Sequence, residues 1–390
     1  FNTEYSRSIF PPSFKPVDRV VSLPLQSIQA LEQERNERND RECKTECIAP
    51  AHELKESSLE DVSSMVQLPK SATTYSVDGT HTLQHWTITY EIGSGSFSKV
   101  FLANDGATAI KITDVDFNKQ RAEEDADGKG ELTSRIQNSL TREIEVLKAL
   151  QHPNIIKLIG TDYDATLKKT PNRITMAIEY CKGGDLFTFV SEKDSLNIKI
   201  VRYIFANLVS AISYMHSHDI VHRDIKLENI LLKKSPLEIM ENIDDYVKNK
   251  TPIAVLSDFG LSKKIDPTNP MLITRCGSED YVSPELLLGM PYDGKQNDCW
   301  SLGVVLYTML EGRLPFDPLP SERMKMHAHS RRSKPAHRIA MISWAWYNVK
   351  SDSSGDMKLA KAVVKSLLAK RNKRATTADL VTSDWCKGYL

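Results

Sequence analysis

The octapeptide His222-Arg223-Asp224-Ile225-Lys226-Leu227-Glu228-Asn229, followed 34 residues after its aspartate by Asp258-Phe259-Gly260, constrains this chain more than any other feature. Asp224 can accept a hydroxyl proton, Lys226 can neutralise a phosphoryl oxygen and Asn229 can hold a hard divalent cation, at offsets 0, +2 and +5. A second carboxylate for the cation, Asp258, arrives on the next loop. The two motifs together describe one phosphoryl-transfer machine.

A chain of 390 residues is longer than one typical domain and has room for a bilobal unit plus a tail. Its 51 Lys and Arg balance 51 Asp and Glu, so neither a polyanion-binding surface nor an acidic tail is indicated, and nucleic acid is not an expected partner. Six cysteines, with Cys43 and Cys47 close together but no second pair or histidine cluster to complete a zinc site, fit a reduced protein inside the cell. The expected setting is the cytoplasm, with the nucleus as a second compartment. No run of 18 or more apolar residues occurs, so no membrane span is expected; a first residue of Phe1 implies that the native start lies upstream.

Residues 1–83 combine six prolines between Pro11 and Pro69 with a charged stretch from Glu32 to Glu46 and no sustained apolar period. Such a segment buries too little apolar surface to offset its ordering entropy, so it is expected to be largely disordered, with one short helix between Leu25 and Arg41. A solvated tail is the plain reading, and a docking or autoregulatory segment the alternative.

From Trp86 short β-type runs follow: Trp86 to Ile92, Lys99 to Ala103 and Ala107 to Thr113, the last two joined by the hairpin signal Asn104-Asp105-Gly106. After a polar linker at 115–133, Ile136, Leu140, Ile144, Leu147 and Leu150 recur at helical spacing. Beyond Cys181-Lys182-Gly183-Gly184 the chain turns helix-rich, with an apolar stripe through Val201, Ile204, Leu208, Ile212 and Met215. A folded domain over 84–388 is therefore expected, divided into a small lobe with its hinge (84–182) and a large lobe (183–388). Two charged excursions, 233–251 and 319–337, are expected on the surface. The second carries Arg323, Lys325, Arg331, Arg332 and Lys334, and reads as a solvated basic loop or a docking surface for acidic partners.

The run Ile92-Gly93-Ser94-Gly95-Ser96-Phe97-Ser98-Lys99-Val100 is a glycine-rich turn between two of the β-type runs, and Ala109-Ile110-Lys111 follows on the next strand. With these motifs in order, the chain resembles the eukaryotic Ser/Thr protein kinases over roughly Trp86 to Trp385. Within that family it is most similar to the calcium/calmodulin-dependent and AMP-activated branch, and in its segments Arg275 to Leu288 and Trp344 to Tyr347 to fungal kinases of the pheromone-response type.

The resemblance implies an α+β bilobal kinase fold, a small antiparallel sheet lobe with one helix, αC, above a larger helical lobe. It implies ATP and Mg²⁺ as cofactors. The segment from Ile92 to Val100 would cover the phosphates, with Ser98 where the family has its third glycine. Ala109 would line the adenine site, and Lys111 would hold the α and β phosphates. Glu143, next to Ile144 and Leu147 of the apolar stripe and opposite in phase to Glu145, is the expected counter-ion of Lys111. Asp224, Lys226 and Asn229 would carry the chemistry, with Asn229 and Asp258 on the metal.

Glu179, Tyr180 and Cys181 would form the hinge, with Ile178 behind the adenine. Asp185 would meet either the ribose or a basic residue of the peptide; with Glu228 it makes a pair of carboxylates suited to a basic residue upstream of the acceptor. Ser278 would touch Asp224 and Lys226. Thr274 stands where activating phosphorylation commonly falls, by another kinase or by autophosphorylation, and Arg223 is the cation such a phosphate would need. Carboxylates of Glu279 and Asp280 could occupy the same arginine instead. Glu285 would pair with Arg374, and Asp298 would hold the catalytic loop from a buried helix. Protein substrates with Ser/Thr acceptors and a monomeric state are expected. A pseudokinase scaffold or binding module is the alternative; retention of Lys111, Asp224, Asn229 and Asp258 weighs against it.

Overall fold

The computed structural model describes residues 69–95, 98–114, 129–163, 173–192, 196–317, 335–349 and 355–390, without the side chains of 114 and 129–135. The helix expected within 25–41, the Cys43/Cys47 pair, Ser96 and Phe97, and most of the stretches 115–133 and 319–337 lie outside the described residues.

The small lobe is an antiparallel sheet of β1 (Ser71–Ser76), β2 (Leu83–Ser94), β3 (Ser98–Ala103), β4 (Thr108–Asp114), β5 (Leu158–Thr161) and β6 (Arg173–Glu179), in the order β1-β2-β3-β4-β6-β5. The β3–β4 hairpin forms at the Asn-Asp-Gly signal. Asp105 accepts from the main-chain N–H groups of Ala107 and Thr108 at 2.9 Å each, while Gly106 takes φ 68°. Phe101, Ala103, Ile110, Ile112 and Ala177 close the core beneath the sheet. Strand β4 lies between β3 and β6, with Lys111 paired to Val100 on one side and Met176 on the other, and this fixes where the lysine starts.

Strand β1 corrects the boundary expected at residue 83, because the folded domain already includes Ser71. The strand pairs with β2 over five residues and meets β5 at Tyr75↔Thr161 and Ser76↔Gly160. Its Ser-Ala-Thr-Thr-Tyr-Ser sequence lacks an apolar alternation, since what it buries is polar. Thr74 and Ser76 are buried and satisfied, Thr74 by the Trp86 indole N–H at 2.9 Å and Ser76 by the Thr82 N–H at 3.0 Å.

Helix α1 (Lys129–Ala149) also starts earlier than expected, inside the stretch read as a linker. It buries Leu140, Ile144, Val146 and Leu147 against β5 and the large lobe.

The large lobe contains α2 (Leu186–Ser191), α3 (Ile198–Ser217), α4 (Pro236–Lys248), α5 (Pro284–Leu287), α6 (Gly294–Glu311), α7 (Pro335–Ala340), α8 (Gly355–Leu367) and α9 (Thr377–Thr382). Among the described residues α3 alone is long and apolar enough to cross a membrane, but 67% of that window is buried in the lobe's core. Helix α6 is buried almost all round: Asp298 and Trp300 are fully enclosed, and Trp300 stacks on Phe316 at 5.5 Å. The Trp344-Ala345-Trp346 segment packs on this helix through Tyr307, whose hydroxyl donates to the Ala345 carbonyl at 2.7 Å. Glu311 accepts from the N–H groups of Tyr347, Asn348 and Val349.

The excursion at 233–251 is no simple surface loop. It folds into α4, started by a Ser235–Glu238 capping box with Pro236 in the first turn. Ile239 and Ile243, at i and i+4, are buried against the lobe, and Tyr203 on α3 donates to the carbonyls of Tyr246 (3.1 Å) and Thr251 (2.9 Å). Two isoleucines in a charged background make too weak a periodicity to be read as a core face. Ile239→Ala is expected to cost about 2–4 kcal/mol and to lower the midpoint of thermal unfolding, whereas exposed Leu237→Ala should change it little. Equal effects in circular-dichroism melts would show that α4 is not part of the core.

Candidate active site

The residues expected to carry the chemistry lie on and beside an antiparallel pair of strands, β7 (Ile230–Leu232) with β8 (Ala254–Leu256), which brings Asn229 and Asp258 together. The Ser257 N–H and hydroxyl both donate to the Asn229 carbonyl at 2.9 Å, tying the two loops directly. Asp298 fixes the other end. Its carboxylate accepts from the main-chain N–H of His222 and of Arg223, each at 2.9 Å, and lies 3.0 Å from His216 Nε2. Arg223 takes φ 70°, so those bonds hold the loop in a backbone shape that a non-glycine residue rarely adopts.

Around Asp224 four groups converge. Asn229 Nδ2 donates to Oδ2 at 3.0 Å and to the Asp224 main-chain carbonyl at 2.8 Å. Lys226 Nζ lies 3.0 Å from Oδ2, and the Ser278 hydroxyl and N–H donate to Oδ1 at 2.9 and 3.0 Å. Lys226 also donates to the Ser278 hydroxyl at 3.1 Å, so a hydroxyl, a carboxylate and an ammonium already stand in the arrangement expected of them. Burial would pull the Lys226 ammonium down, but Asp224, Glu228 and Asp258 hold it above the usual lysine range.

Lys111 reaches both carboxylate oxygens of Glu143, at 2.8 and 2.9 Å. Glu143 is buried and Glu145 exposed, in the phase expected of α1. Burial disfavours the Lys111 ammonium, yet Glu143 and Asp258 outweigh it and keep it charged. Asp258 faces the same space: burial works against its charge, but Lys111 and His222 lead the groups that keep it below the usual carboxylate range.

This donor set fits a magnesium nucleotide. An ionised carboxylate and the Asn229 amide oxygen are hard donors, and Asn229 holds Asp224 through its nitrogen, Nδ2. Among the described residues no group of three His, Cys, Asp or Glu side chains forms a closed metal cage, so such a cation would complete its shell with phosphate oxygens and water.

At the hinge, the Tyr180 N–H donates to the Ala107 carbonyl at 2.8 Å. The Glu179 side chain points away from catalysis, accepting from the Lys157 N–H at 3.0 Å and pairing with Lys233 at 2.9 Å. Cys181 is buried, and burial followed by the Glu179 charge pushes its thiol up to about 12, so it is no nucleophile. Asp185 caps α2, its two oxygens accepting from the Thr188 N–H (2.7 Å) and hydroxyl (3.1 Å), one bond each. It still lies near enough to Glu228 to help burial push that carboxyl up.

Glu285 meets Arg374 at 2.6 Å in the buried pair expected, and the guanidinium lies over Trp300. Thr274 is exposed, with its carbonyl bonded to the Tyr292 hydroxyl at 2.9 Å. Arg223 Nε donates to the Leu261 carbonyl at 2.7 Å. Asp280 is raised by burial, Asp317, Glu279 and Glu228, with no cation among these causes.

Residues 86–386 match the protein kinase domain model. The chain belongs to the protein kinase family. It is 38% identical over 326 residues to serine/threonine-protein kinase PRR1 of Saccharomyces cerevisiae, covering 77% of this chain and 61% of that protein. It is 33% identical over 251 residues to serine/threonine-protein kinase ppk27 of Schizosaccharomyces pombe (62% of this chain, 58% of that one), and 38% identical over 249 residues to the carbon catabolite-derepressing protein kinase of S. cerevisiae (64% and 34%). The chain thus spans about three fifths of the first two relatives' length. Its catalytic unit is a serine/threonine protein kinase domain of this branch.

Sequence reasoning missed one part of the kinase site. Ser139 and Arg142 on α1 both donate to the Gly260 carbonyl, at 3.0 and 3.1 Å, and pin the metal loop to the helix that carries Glu143. Ser139, Arg142 and Glu143 stand at i, i+3 and i+4, the spacing of one helical face, and that signal was available. Phe259 lies in the core cluster with Leu140, Ile144 and Leu147, edge-on to His222 at 5.0 Å.

Glu143→Gln removes the charge that holds Lys111 and should lower kcat/KM for ATP on the order of 10- to 100-fold with little change in melting temperature. Steady-state kinetics with varied ATP checks this.

Asp280, pushed up to about 6, holds its proton more tightly in the folded than in the unfolded chain, so its contribution to native stability falls as pH rises from about 4 through about 6. Asp280→Asn is expected to raise the thermal midpoint at about pH 7.5 and to leave it unchanged at about pH 4. A gain of equal size at both pH values, seen by scanning fluorimetry, would contradict this origin.

Proposed function

We propose that the protein transfers the γ-phosphoryl group of ATP, as its magnesium complex, to serine or threonine hydroxyls of protein substrates. The observation that carries this is the Ser278–Asp224–Lys226 cluster: a hydroxyl donating to a carboxylate at 2.9 Å with an ammonium 3.1 Å from the same hydroxyl oxygen. A substrate hydroxyl taking that position would give its proton to Asp224 as its oxygen bonds to the γ phosphorus and the bond from that phosphorus to the bridging oxygen of the β-phosphate breaks, releasing ADP. Lys226 would stabilise the charge that develops, and Lys111, fixed by Glu143, would hold the other phosphates still. The nucleotide's magnesium supplies charge neutralisation between the phosphates, and Asp258 and Asn229 are the residues to bind it.

Two finer readings belong to the same proposal. Glu228 has a buried carboxylate oxygen, Oε2, with no hydrogen-bond partner, which supports a preference for a basic residue upstream of the acceptor. Thr274 is exposed, and Arg142 and Arg223 lie close enough for their charges to interact, which supports activation by a phosphate on Thr274. We place the protein inside the cell, acting as a monomer on protein substrates.

A peptide-library phosphorylation assay on wild type and Asp224→Asn tests the reaction. Wild type should label Ser/Thr peptides, those with upstream Arg foremost, and Asp224→Asn should lose on the order of 1,000-fold. Wild-type protein that leaves every peptide unlabelled would refute the assignment. Equal rates before and after stoichiometric phosphorylation of Thr274 would end the activation reading alone.

A further inference from the structure

We infer that Arg275, the residue after Thr274, is a positioning residue: its guanidinium sits in a slot at Gly289 and holds the loop on which the substrate is presented. The inference rests on the phosphotransfer reading of the site, and wild-type turnover tests that separately.

The Arg275 guanidinium, through Nη2, Cζ and Nε, lies against the bare Cα of Gly289 and occupies the space that any side chain at position 289 would need. Gly289 has φ 72°, a conformation that also favours glycine. The slot is rigid. The Gly289 N–H donates to the Leu286 carbonyl and the Met290 N–H to the Glu285 carbonyl, each at 3.0 Å, and Glu285 is itself locked to buried Arg374.

Three residues further on, Ser278 is bonded to Asp224 and Lys226. Between them Gly277, at φ 102°, passes so close to the catalytic loop that a Cβ there would lie 2.5 Å from the Arg223 carbonyl oxygen, and Cys276 is buried. A span of three residues reaches at most about 10 Å, so anchors at both ends leave the loop little freedom of register. Arginine suits this role because its flat guanidinium can lie against a bare Cα where a lysine ammonium would leave a gap. The atoms that a Gly289 methyl would strike belong to the far end of a flexible side chain, so Gly289→Ala should evict the arginine; the backbone strain of alanine at φ 72° is a separate effect, read in the thermal midpoint and shared by the double variant.

The test is steady-state kinetics on full-length protein with one serine peptide, comparing wild type, Arg275→Ala, Arg275→Lys, Gly289→Ala and the Arg275→Ala/Gly289→Ala double variant, with Thr274 phosphorylation matched by mass spectrometry. Arg275→Ala and Gly289→Ala should each raise the peptide KM on the order of five-fold while the KM for ATP stays within about two-fold, and Arg275→Lys should fall between them and wild type. The double variant should be no worse than Arg275→Ala alone, because the glycine acts through the arginine. An unchanged peptide KM in Arg275→Ala, a parallel rise in the KM for ATP, or a double variant showing the product of the single effects would each overturn the inference. Should Gly289→Ala fail to fold, the Arg275→Ala and Arg275→Lys pair decides.

Discussion

One buried carboxylate, Asp298, holds the catalytic centre in shape. Enclosed on helix α6, it accepts the main-chain N–H groups of His222 and Arg223 and the ring N–H side of His216. A buried charge with three partners is strongly directional, because each lost bond would leave a desolvated group unsatisfied at a cost of roughly 1–3 kcal/mol. That is the force available to keep Arg223 at φ 70° and so to fix the position of Asp224 beside Ser278. The remaining contacts of the loop, Asn229 to Asp224 and Ser257 to Asn229, transmit this fixed geometry to the metal-binding side.

The upper half of the site is anchored in its own lobe by another buried carboxylate, Glu143. Lys111 comes from strand β4 and Glu143 from helix α1, and their bidentate contact depends on the helix staying against the sheet. Ser139 and Arg142 bind the Gly260 carbonyl from that same helix, so the lysine's counter-ion and the metal loop move as one unit. A displaced α1 would therefore disturb Lys111 and Asp258 together.

The peptide side is organised by clamps on the activation segment. Ser278 sits on Asp224, Glu285 on Arg374, and Arg275 in the slot at Gly289. The insertion that became α4 is tied to the hinge by Lys182–Glu238 at 2.7 Å and Glu179–Lys233 at 2.9 Å, partly solvated pairs that contribute modestly in energy but fix where the insertion lies.

The sequence by itself determined the identity and spacing of the chemical groups. The Asp-Lys-Asn series, the following Asp-Phe-Gly, the Asn-Asp-Gly hairpin and the choice of Glu143 over Glu145 were all legible, because local spacing and helical phase carry that information. What the tertiary structure decided was wherever polar atoms are satisfied by distant partners. Strand β1 is stabilised by hydroxyls that Trp86 and Thr82 complete, α4 by a two-isoleucine face packed beside α3, and Asp185 is oriented by the first turn of α2. Hydrophobic periodicity reports which side of a segment faces inward; it is blind to a buried hydroxyl or a bare Cα whose value comes from a residue far away in sequence, as Gly289 shows beneath Arg275.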